Sequence, residues 1–162
     1  MSKQSFSLTI KNITPETDQA ASISFSIPDA LKDTFRYKPG QYLTFVLHIH
    51  DREVRRSYSM SSAPYEEDLQ VTIKRVEGGL VSNYLLDRMK PGDSLQVMPP
   101  QGRFTTTIKE ENRKTYYFFG AGSGITPLMS LIKTILEEEP QSSVFLLYGN
   151  RNENSIIFKD SL

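Results

Sequence analysis

The sequence predicts an all-β antiparallel barrel of six strands with Greek-key connections, followed by the first part of an α/β domain with a parallel sheet. Two observations predict this order. Up to about residue 110, short segments of alternating apolar and polar residues are joined by turn residues, which is typical of antiparallel barrels. After Asn112, continuous apolar runs flank a glycine loop and an amphipathic stretch, which is typical of a βαβ unit.

The composition is that of a globular protein without a dominant charge. The chain has 162 residues, of which 38% are hydrophobic, and it carries 19 basic and 19 acidic side chains. This balance argues against a nucleic-acid-binding face, and no apolar run reaches the roughly 18 residues that a membrane span needs. We therefore expect neither nucleic acid nor a membrane as a partner. The N-terminus lacks the apolar core of a signal peptide, so we expect a cytoplasmic location.

Few residues are available for metal or thiol chemistry. The chain has no cysteine, which excludes a disulfide framework, a thiolate nucleophile and an iron–sulfur cluster on these residues. The only histidines, His48 and His50, lie two positions apart and lack the spacing of a zinc site. We therefore expect no metal site and place both histidines in solvent or at the rim of the barrel.

The six barrel strands follow from alternation and from turn chemistry. Leu8, Phe25 and Phe45 lie at the centres of the first three apolar patterns, and Val71 lies at the centre of the fifth. The predicted strands cover residues 6–10, 23–27, 41–49, 54–59, 69–76 and 95–98. Turns are predicted at residues 14–18, 39–40, 51–53 and 91–93, and a loop with a short helical turn at residues 28–38.

A helix is predicted between the fifth and sixth strands. Leu80, Tyr84, Leu85 and Met89 recur at helical spacing, and a Pro-Gly pair follows them. The pair Gly78-Gly79 precedes this helix, where free amides and a partial positive charge favour phosphate. The helix is also interpretable as a lid that closes one end of the barrel, and the two interpretations are compatible.

The fourth strand carries the most informative polar residues. In the stretch RRSYS, Arg56 and Tyr58 lie two positions apart and share one face of an extended strand. An aromatic ring beside a guanidinium suits a ligand with a flat ring at one end and a phosphate at the other. Ser59 cannot share that face while the strand stays regular. The residues that follow it indicate that the strand ends there, which would let Ser59 turn toward the edge of the flat ring. The alternative is an edge strand whose Arg and Tyr side chains are simply exposed.

The α/β part begins with the apolar run of residues 115–119. It continues through GAGSGITP, where Gly120, Gly122 and Gly124 form a turn and Pro127 lies in the first helical turn. A second apolar strand covers residues 143–148, and both strands are predicted to be buried on both faces. A glycine loop at the carboxyl end of such a strand favours a nucleotide site. The alternative is a loop that is small only to let the helix pack on the sheet.

Taken together, four motifs in this order resemble the ferredoxin–NADP reductase superfamily, and more narrowly the reductase components of bacterial oxygenases of the phenylacetyl-CoA oxygenase reductase type. The motifs are RRSYS, VTIKRVEGGLVSNYL, GAGSGITPLMS and YGNR, and they span nearly the whole chain. The resemblance implies an FAD-binding barrel over residues 1–110 and the N-terminal part of an NAD(P)-binding domain, apparently truncated, over residues 111–162.

The resemblance also implies roles for individual residues. Arg56 would hold the flavin diphosphate, Tyr58 would stack on the isoalloxazine, and Ser59 would bond near its N5 atom. The backbone of the fifth strand and the start of the following helix would line the flavin through Ile73, Lys74, Gly79, Val81 and Ser82. The nicotinamide nucleotide would meet Gly120, Gly122, Ser123, Gly124, Thr126, Pro127, Gly149, Asn150 and Arg151, with Thr126 near the flavin ring and Arg151 available to a ribose 2′-phosphate.

The implied activity is that of a flavoprotein oxidoreductase that passes electrons from NADH or NADPH through FAD to an iron–sulfur acceptor. No side chain is assigned acid–base catalysis, since the cofactor carries the redox chemistry. Because the chain lacks cysteine, a [2Fe–2S] centre would lie on missing sequence or on a partner. Two alternatives stay open: a truncated, non-enzymatic flavin-binding or docking module, and another electron-transfer subunit of the superfamily, such as that of dihydroorotate dehydrogenase or a nitric oxide dioxygenase.

One departure from the family pattern concerns the second sheet. Only two strands of it are present in the sequence, whereas the family's nicotinamide domain is a full doubly wound sheet. We therefore interpret the chain as a fragment of a larger protein. We also expect Phe118, Leu146 and their neighbours to be partly exposed or covered by something else.

Overall fold

The computed structural model describes residues 4–162 and contains one six-stranded antiparallel sheet and one two-stranded parallel sheet. The order of the strands in the first sheet is β4-β3-β6-β1-β2-β5, so β6 lies between β3 and β1, as in a Greek key. The strands are β1 (Phe6–Thr17), β2 (Ala20–Ser26), β3 (Tyr42–Ile49), β4 (Arg52–Ser59), β5 (Leu69–Lys74) and β6 (Ser94–Gln101). The predicted fold class is confirmed.

The sheet closes into a barrel where the two edge strands β4 and β5 meet. Met60 forms an isolated antiparallel bridge with Val71, and the Ser61 amide donates to the carbonyl O of Gln70 at 2.8 Å. Closure gives the outermost strands hydrogen-bond partners and encloses the core. At the centre of that core, Phe25 and Phe45 meet edge to face at 5.6 Å between ring centroids.

Several predicted boundaries of the barrel elements were wrong. Strand β1 continues through Pro15 to Thr17 with a register shift, and the turn is confined to residues 18–19. The turn predicted at residues 51–53 is a tight reversal at His50 and Asp51, both of which have positive φ, so β4 begins at Arg52. Strand β5 ends at Lys74, and β6 is longer than predicted. A short 3₁₀ helix, Asp29–Leu31, lies in the predicted loop.

Helix α1 (Leu80–Arg88) follows β5 and covers part of the barrel, as predicted. Its buried face is formed by Val81, Ser82 and Leu85, while Leu80, the first residue of the pattern at helical spacing, is 44% exposed. The Arg75 guanidinium bonds Asp87 at 2.6 Å and ties the helix to the end of β5. This tether holds the last turn of α1 at the end of β5.

The second part of the chain is the predicted parallel βαβ unit. It consists of β7 (Thr115–Ala121), a 3₁₀ turn (Gly122–Gly124), α2 (Ile125–Glu138) and β8 (Ser143–Gly149). Helix α2, together with Ile157 and Phe158, packs on one face of the two strands, against the half-buried Phe118 and Leu146.

Burial of β7 and β8 on both faces was wrongly predicted, because one face is bare. Tyr117 and Phe119 are 65% and 73% exposed, and Phe145 and Leu147 are 56% and 68% exposed. The expectation of an incompletely covered sheet is confirmed. The exposed residues are, however, the sequence neighbours of Phe118 and Leu146, and these two residues lie on the face that α2 covers.

The two parts of the chain are in direct contact. Ala20 at the start of β2 packs in the same apolar cluster as α2. At Gly40, where φ is +89°, a Cβ atom would lie 1.9 Å from the Phe104 carbonyl O, so the barrel and the following segment approach too closely for any other residue. A salt bridge of 2.9 Å between Lys133 and Glu66 adds a contact from α2 to the loop before β5.

Candidate functional site

The face of β4 that carries Arg56 and Tyr58 is set by its pairing with β3. In this antiparallel register Arg56 lies opposite Phe45 and Tyr58 lies opposite Leu43. Directly opposed residues share a face, so both side chains project to the side of the sheet that faces the barrel core. Even so, both side chains reach solvent: Tyr58 is half-buried and Arg56 is exposed.

The Tyr58 ring is supported on one side by the barrel core. It packs on Phe45 with 5.3 Å between centroids and an interplanar angle of 47°. Burial raises the pKa of the Tyr58 phenol, an effect that the nearby Arg56 charge partly opposes, so the hydroxyl is neutral in ordinary buffers. A half-buried ring with one side supported by the core leaves its other side available for stacking.

The two neighbouring arginines of β4 differ in their partners. The Arg55 guanidinium donates from Nε to Glu53 Oε1 at 2.8 Å and is thereby neutralised. Arg56 donates from Nη1 to the carbonyl O of Arg55 at 2.7 Å, and within residues 4–162 it forms no salt bridge. Arg56 therefore keeps an uncompensated charge and unused donors, which fit a diphosphate. Ser59 ends β4 opposite Tyr42, as the sequence predicted.

The backbone between the end of β5 and the start of α1 is tightly packed around Gly79. A Cβ atom on Gly79 would lie 2.7 Å from Ser82 Oγ and 2.9 Å from the Val76 carbonyl O, so a side chain is excluded at the N-cap of α1. Ser82 Oγ accepts from the Val76 amide at 3.1 Å. Two of the predicted flavin-lining residues, Ile73 and Val81, have buried side chains, so only their backbone atoms are available to a ligand.

The glycine loop lies directly beside β5. Gly122 has φ +51°, and a Cβ atom there would lie 3.4 Å from the Lys74 ammonium Nζ. The structure thus brings together two predicted site residues from the two parts of the chain. An ammonium next to exposed loop residues, Ser123 and Gly124, is an arrangement that favours an anionic ligand.

The remaining predicted nucleotide-side residues support or flank this loop. A Cβ on Gly120 would lie 3.0 Å from Leu128, which explains the glycine by close packing of helix on strand, and Thr126 donates to the Ser123 carbonyl O at 2.8 Å. Pro127 is half-buried in the first turn of α2.

The YGNR segment ends beside the glycine loop, because Gly149 is the register partner of Ala121. Within this segment Arg151 is exposed, whereas the side-chain oxygen Oδ1 of Asn150 is buried and has no hydrogen-bond partner.

One residue at this site was missed by the sequence analysis. The Tyr148 hydroxyl donates to the Gly122 carbonyl O at 2.8 Å. The sequence holds no local signal for this bond, because it depends on the parallel register that pairs Tyr148 with Gly120 at the carboxyl end of both strands.

Metal-ligating clusters and membrane-spanning helices were both looked for in the part of the chain that the structure describes. Residues 4–162 contain no group of three or more His, Cys, Asp or Glu side chains placed to hold a metal ion, and both histidines are exposed. None of the helices described there is both long enough and apolar enough to cross a bilayer. A cleft of about 550 Å³ opens elsewhere, between the segment after β2 and the loop before β5, and no predicted site residue lines it.

Known proteins match this chain over nearly its whole length. The family model described as oxidoreductase FAD-binding domain matches residues 7–106, and that described as oxidoreductase NAD-binding domain matches residues 118–162. The chain is 38% identical over 156 residues to a component of 1,2-phenylacetyl-CoA epoxidase from Escherichia coli, a match that covers 96% of this chain and 44% of that protein.

Two further matches agree with this. The chain is 42% identical over 158 residues to the ferredoxin reductase component of 3-ketosteroid-9-alpha-monooxygenase from Rhodococcus rhodochrous, with 96% of this chain and 44% of that protein covered. The flavohem-like FAD/NAD-binding domain of nitric oxide dioxygenase from Vibrio cholerae superposes with a TM-score of 0.83 at 25% identity and covers 98% of this chain and 68% of that one. The chain thus spans less than half the length of these two sequence relatives, and the resemblance inferred from its motifs is confirmed.

Proposed function

This chain belongs to the oxidoreductase FAD-binding domain family, and from that premise we propose that it forms the flavin site and part of the nicotinamide site of a reductase. In the whole protein, electrons would pass from NADH or NADPH through FAD to an iron–sulfur acceptor on further sequence or on a partner. The relatives named as a monooxygenase reductase component and an epoxidase component support this proposal. Bound FAD supplies the exchange between two-electron and one-electron transfer.

The observation that carries the proposal is the shared face of Arg56 and Tyr58. The uncompensated Arg56 guanidinium would hold the diphosphate, together with the first-turn amides of α1 behind Gly79. The supported Tyr58 ring would fix the plane of the isoalloxazine. Ser59 ends the same strand in unbroken register, so it would reach the edge of that ring through its main-chain amide. The backbone of Ile73 and Lys74 would line the ring.

The glycine loop would receive the nicotinamide nucleotide next to the flavin site. The position of Lys74 beside Gly122 joins the two sites through one ammonium group. The loop and the first turn of α2 would contact the nucleotide through Gly120, Gly122, Ser123, Gly124, Thr126 and Pro127, and the end of β8 through Gly149, Asn150 and Arg151. These residues bind and orient, and none of them needs to transfer a proton.

We divide the chain accordingly into a flavin domain, residues 1–110, and the beginning of a nicotinamide domain, residues 111–162. The two family models, at residues 7–106 and 118–162, support a boundary in this region. The expected cytoplasmic location stays a prediction of the sequence.

The test compares two arginines that are adjacent in sequence. Arg56→Ala should weaken FAD binding about thirtyfold, or about 2 kcal/mol, because a charge-assisted contact to the diphosphate is lost. Arg55→Ala is the matched control, since it removes the same side chain from the opposite face of β4. The measurement is titration with FAD, followed by quenching of flavin fluorescence. Equal affinities of the two variants would remove the basis of the assignment.

A second candidate, a flavin-binding or docking module without enzymatic activity, is favoured by the bare face of the β7–β8 sheet. Rapid mixing of the FAD-loaded chain with NADH or NADPH separates the two candidates. Fast bleaching of the flavin absorbance supports the reductase, whereas a flavin that stays oxidised under anaerobic conditions supports the module.

A further inference from the structure

Tyr148 stands out because its hydroxyl lies where three segments of the nicotinamide part meet. It donates to the Gly122 carbonyl O at 2.8 Å. Burial raises the pKa of the phenol, and hydrogen bonds from the Ile157 backbone and the Asn150 side chain partly offset this effect. The hydroxyl therefore connects the glycine loop with the end of β8, and the ring packs in the same apolar cluster as Ile157.

The bond to Gly122 fixes the orientation of one peptide plane. The same carbonyl O also accepts the amide of Ile125, so it is held from two sides. The Gly122–Ser123 peptide is trans, and in a trans peptide the C=O and the next N–H point in opposite directions. Since the Gly122 carbonyl points toward Tyr148, the Ser123 N–H points to the other side, where Ser123 and Gly124 are exposed.

The conformation of the loop makes such a support necessary. Gly122 has φ +51°, a region in which a glycine moves easily because it has no side chain to restrict it. Thr126 supports the following peptide in the same way, through its 2.8 Å bond to the Ser123 carbonyl O. Two hydroxyl groups thus hold two successive peptide planes of this glycine loop.

We infer that Tyr148 is a positioning residue that aims the Ser123 amide at the diphosphate of the nicotinamide nucleotide. This inference rests on the proposed function, because it assumes that the glycine loop binds that nucleotide. Tyr148 itself acts from behind the loop, through Gly122, while Lys74 supplies the positive charge on the barrel side. The nucleotide would then find its main-chain donor already oriented, which lowers the entropic cost of binding.

The test uses a matched pair of tyrosines on neighbouring strands. Tyr148→Phe keeps the ring in the apolar cluster and removes only the hydroxyl. Tyr116→Phe also removes a hydrogen-bonded hydroxyl, but at the opposite end of the parallel pair, where Tyr116 donates to Glu139 at 3.0 Å. ADP-ribose serves as the probe, since it contains the diphosphate and cannot reduce a flavin. The readout is the backbone amide spectrum of the ¹⁵N-labelled chain.

In the wild-type chain, ADP-ribose should shift the Ser123 amide more than other amides of the loop. Tyr148→Phe should shift the Ser123 amide before any ligand is added and weaken ADP-ribose binding roughly three- to tenfold, the effect of one net hydrogen bond. Tyr116→Phe should leave both the Ser123 amide and the affinity unchanged.

Three outcomes would overturn the inference. Wild-type affinity in Tyr148→Phe contradicts the positioning role and leaves the nucleotide site intact. A wild-type Ser123 amide that stays still while its neighbours shift contradicts it as well, and this result needs no variant to fold. If ADP-ribose shifts no amide of the glycine loop in the wild-type chain, the proposed nicotinamide site itself fails, and the inference fails with it.

Discussion

The barrel and the β7–β8 sheet contain similar apolar strands but differ in how they are covered. The barrel sheet closes through the bridge between Met60 and Val71, and its inward-facing residues, such as Phe45, are fully buried. The β7–β8 pair has α2 on one face, while Phe119 on the other face is 73% exposed. The difference teaches that a closed antiparallel sheet buries its own inner face, whereas each face of a parallel pair needs a separate layer.

The largest effect is expected in the barrel core. Phe45→Ala should lower the free energy of unfolding by about 3–5 kcal/mol, because it removes a fully buried ring that contacts both Phe25 and Tyr58. Urea denaturation of the chain measures this. FAD affinity should also fall, since the ring of Tyr58 loses the support behind it. A loss of stability below about 1 kcal/mol would show that the barrel core is not the main source of stability.

An intermediate effect is expected at the junction of the two regions. The Glu139 carboxylate, at the end of α2, is buried and accepts hydrogen bonds from the Lys109 amide, Asn112 Nδ2, the Tyr116 hydroxyl and Ser142 Oγ. Burial alone would raise its pKa, but these hydrogen bonds outweigh burial and hold the pKa below the ordinary value of 4.5. Its contribution to stability is therefore present above pH 4.5 and is lost as the pH falls through the lowered pKa.

Glu139→Gln should lower the free energy of unfolding at pH 7 by about 1–3 kcal/mol, because the amide cannot accept all four donors. The variant should also lose less stability than the wild type between neutral and acid pH. Glu138→Gln, at an exposed neighbouring position, is the control. Parallel pH profiles for wild type and Glu139→Gln would contradict the role of this carboxylate.

The smallest effect is expected on the bare face of the second sheet. Phe119→Ala should change the free energy of unfolding by less than about 0.5 kcal/mol, since the ring buries little surface in this chain. The same change should reduce the binding of a hydrophobic dye, because Phe119 is part of the exposed apolar face. A loss of stability comparable to that of Phe45→Ala would mean that this face is covered in solution.

The elements of the fold were predictable because each has a local cause. Alternation and turn residues together indicated the six barrel strands, apolar residues at helical spacing indicated both helices, and glycines marked the loop between β7 and α2. The boundaries were less predictable. Proline favours a turn, but Pro15 fits within β1 because this end of the strand pairs only with β2 and has a register shift there. The prediction that β7 is buried on both faces was wrong for a different reason. An apolar run shows that a strand is suited to burial on both faces, but it does not show whether a second covering layer is present.

The residues of the site were partly predictable. Arg56 and Tyr58 share a face because of the period of a strand, which the sequence contains. The approach of Lys74 to Gly122 and the bond from Tyr148 to the same glycine depend on how distant elements meet. No local pattern encodes such contacts, so they emerge only in the folded chain.

The most direct test of the central claim is a crystal structure of this chain with FAD. The account predicts the isoalloxazine against the ring of Tyr58 and the diphosphate within hydrogen-bond distance of Arg56 and of the first amides of α1. FAD bound away from both side chains, for example in the cleft of about 550 Å³ beside Tyr37, would contradict it.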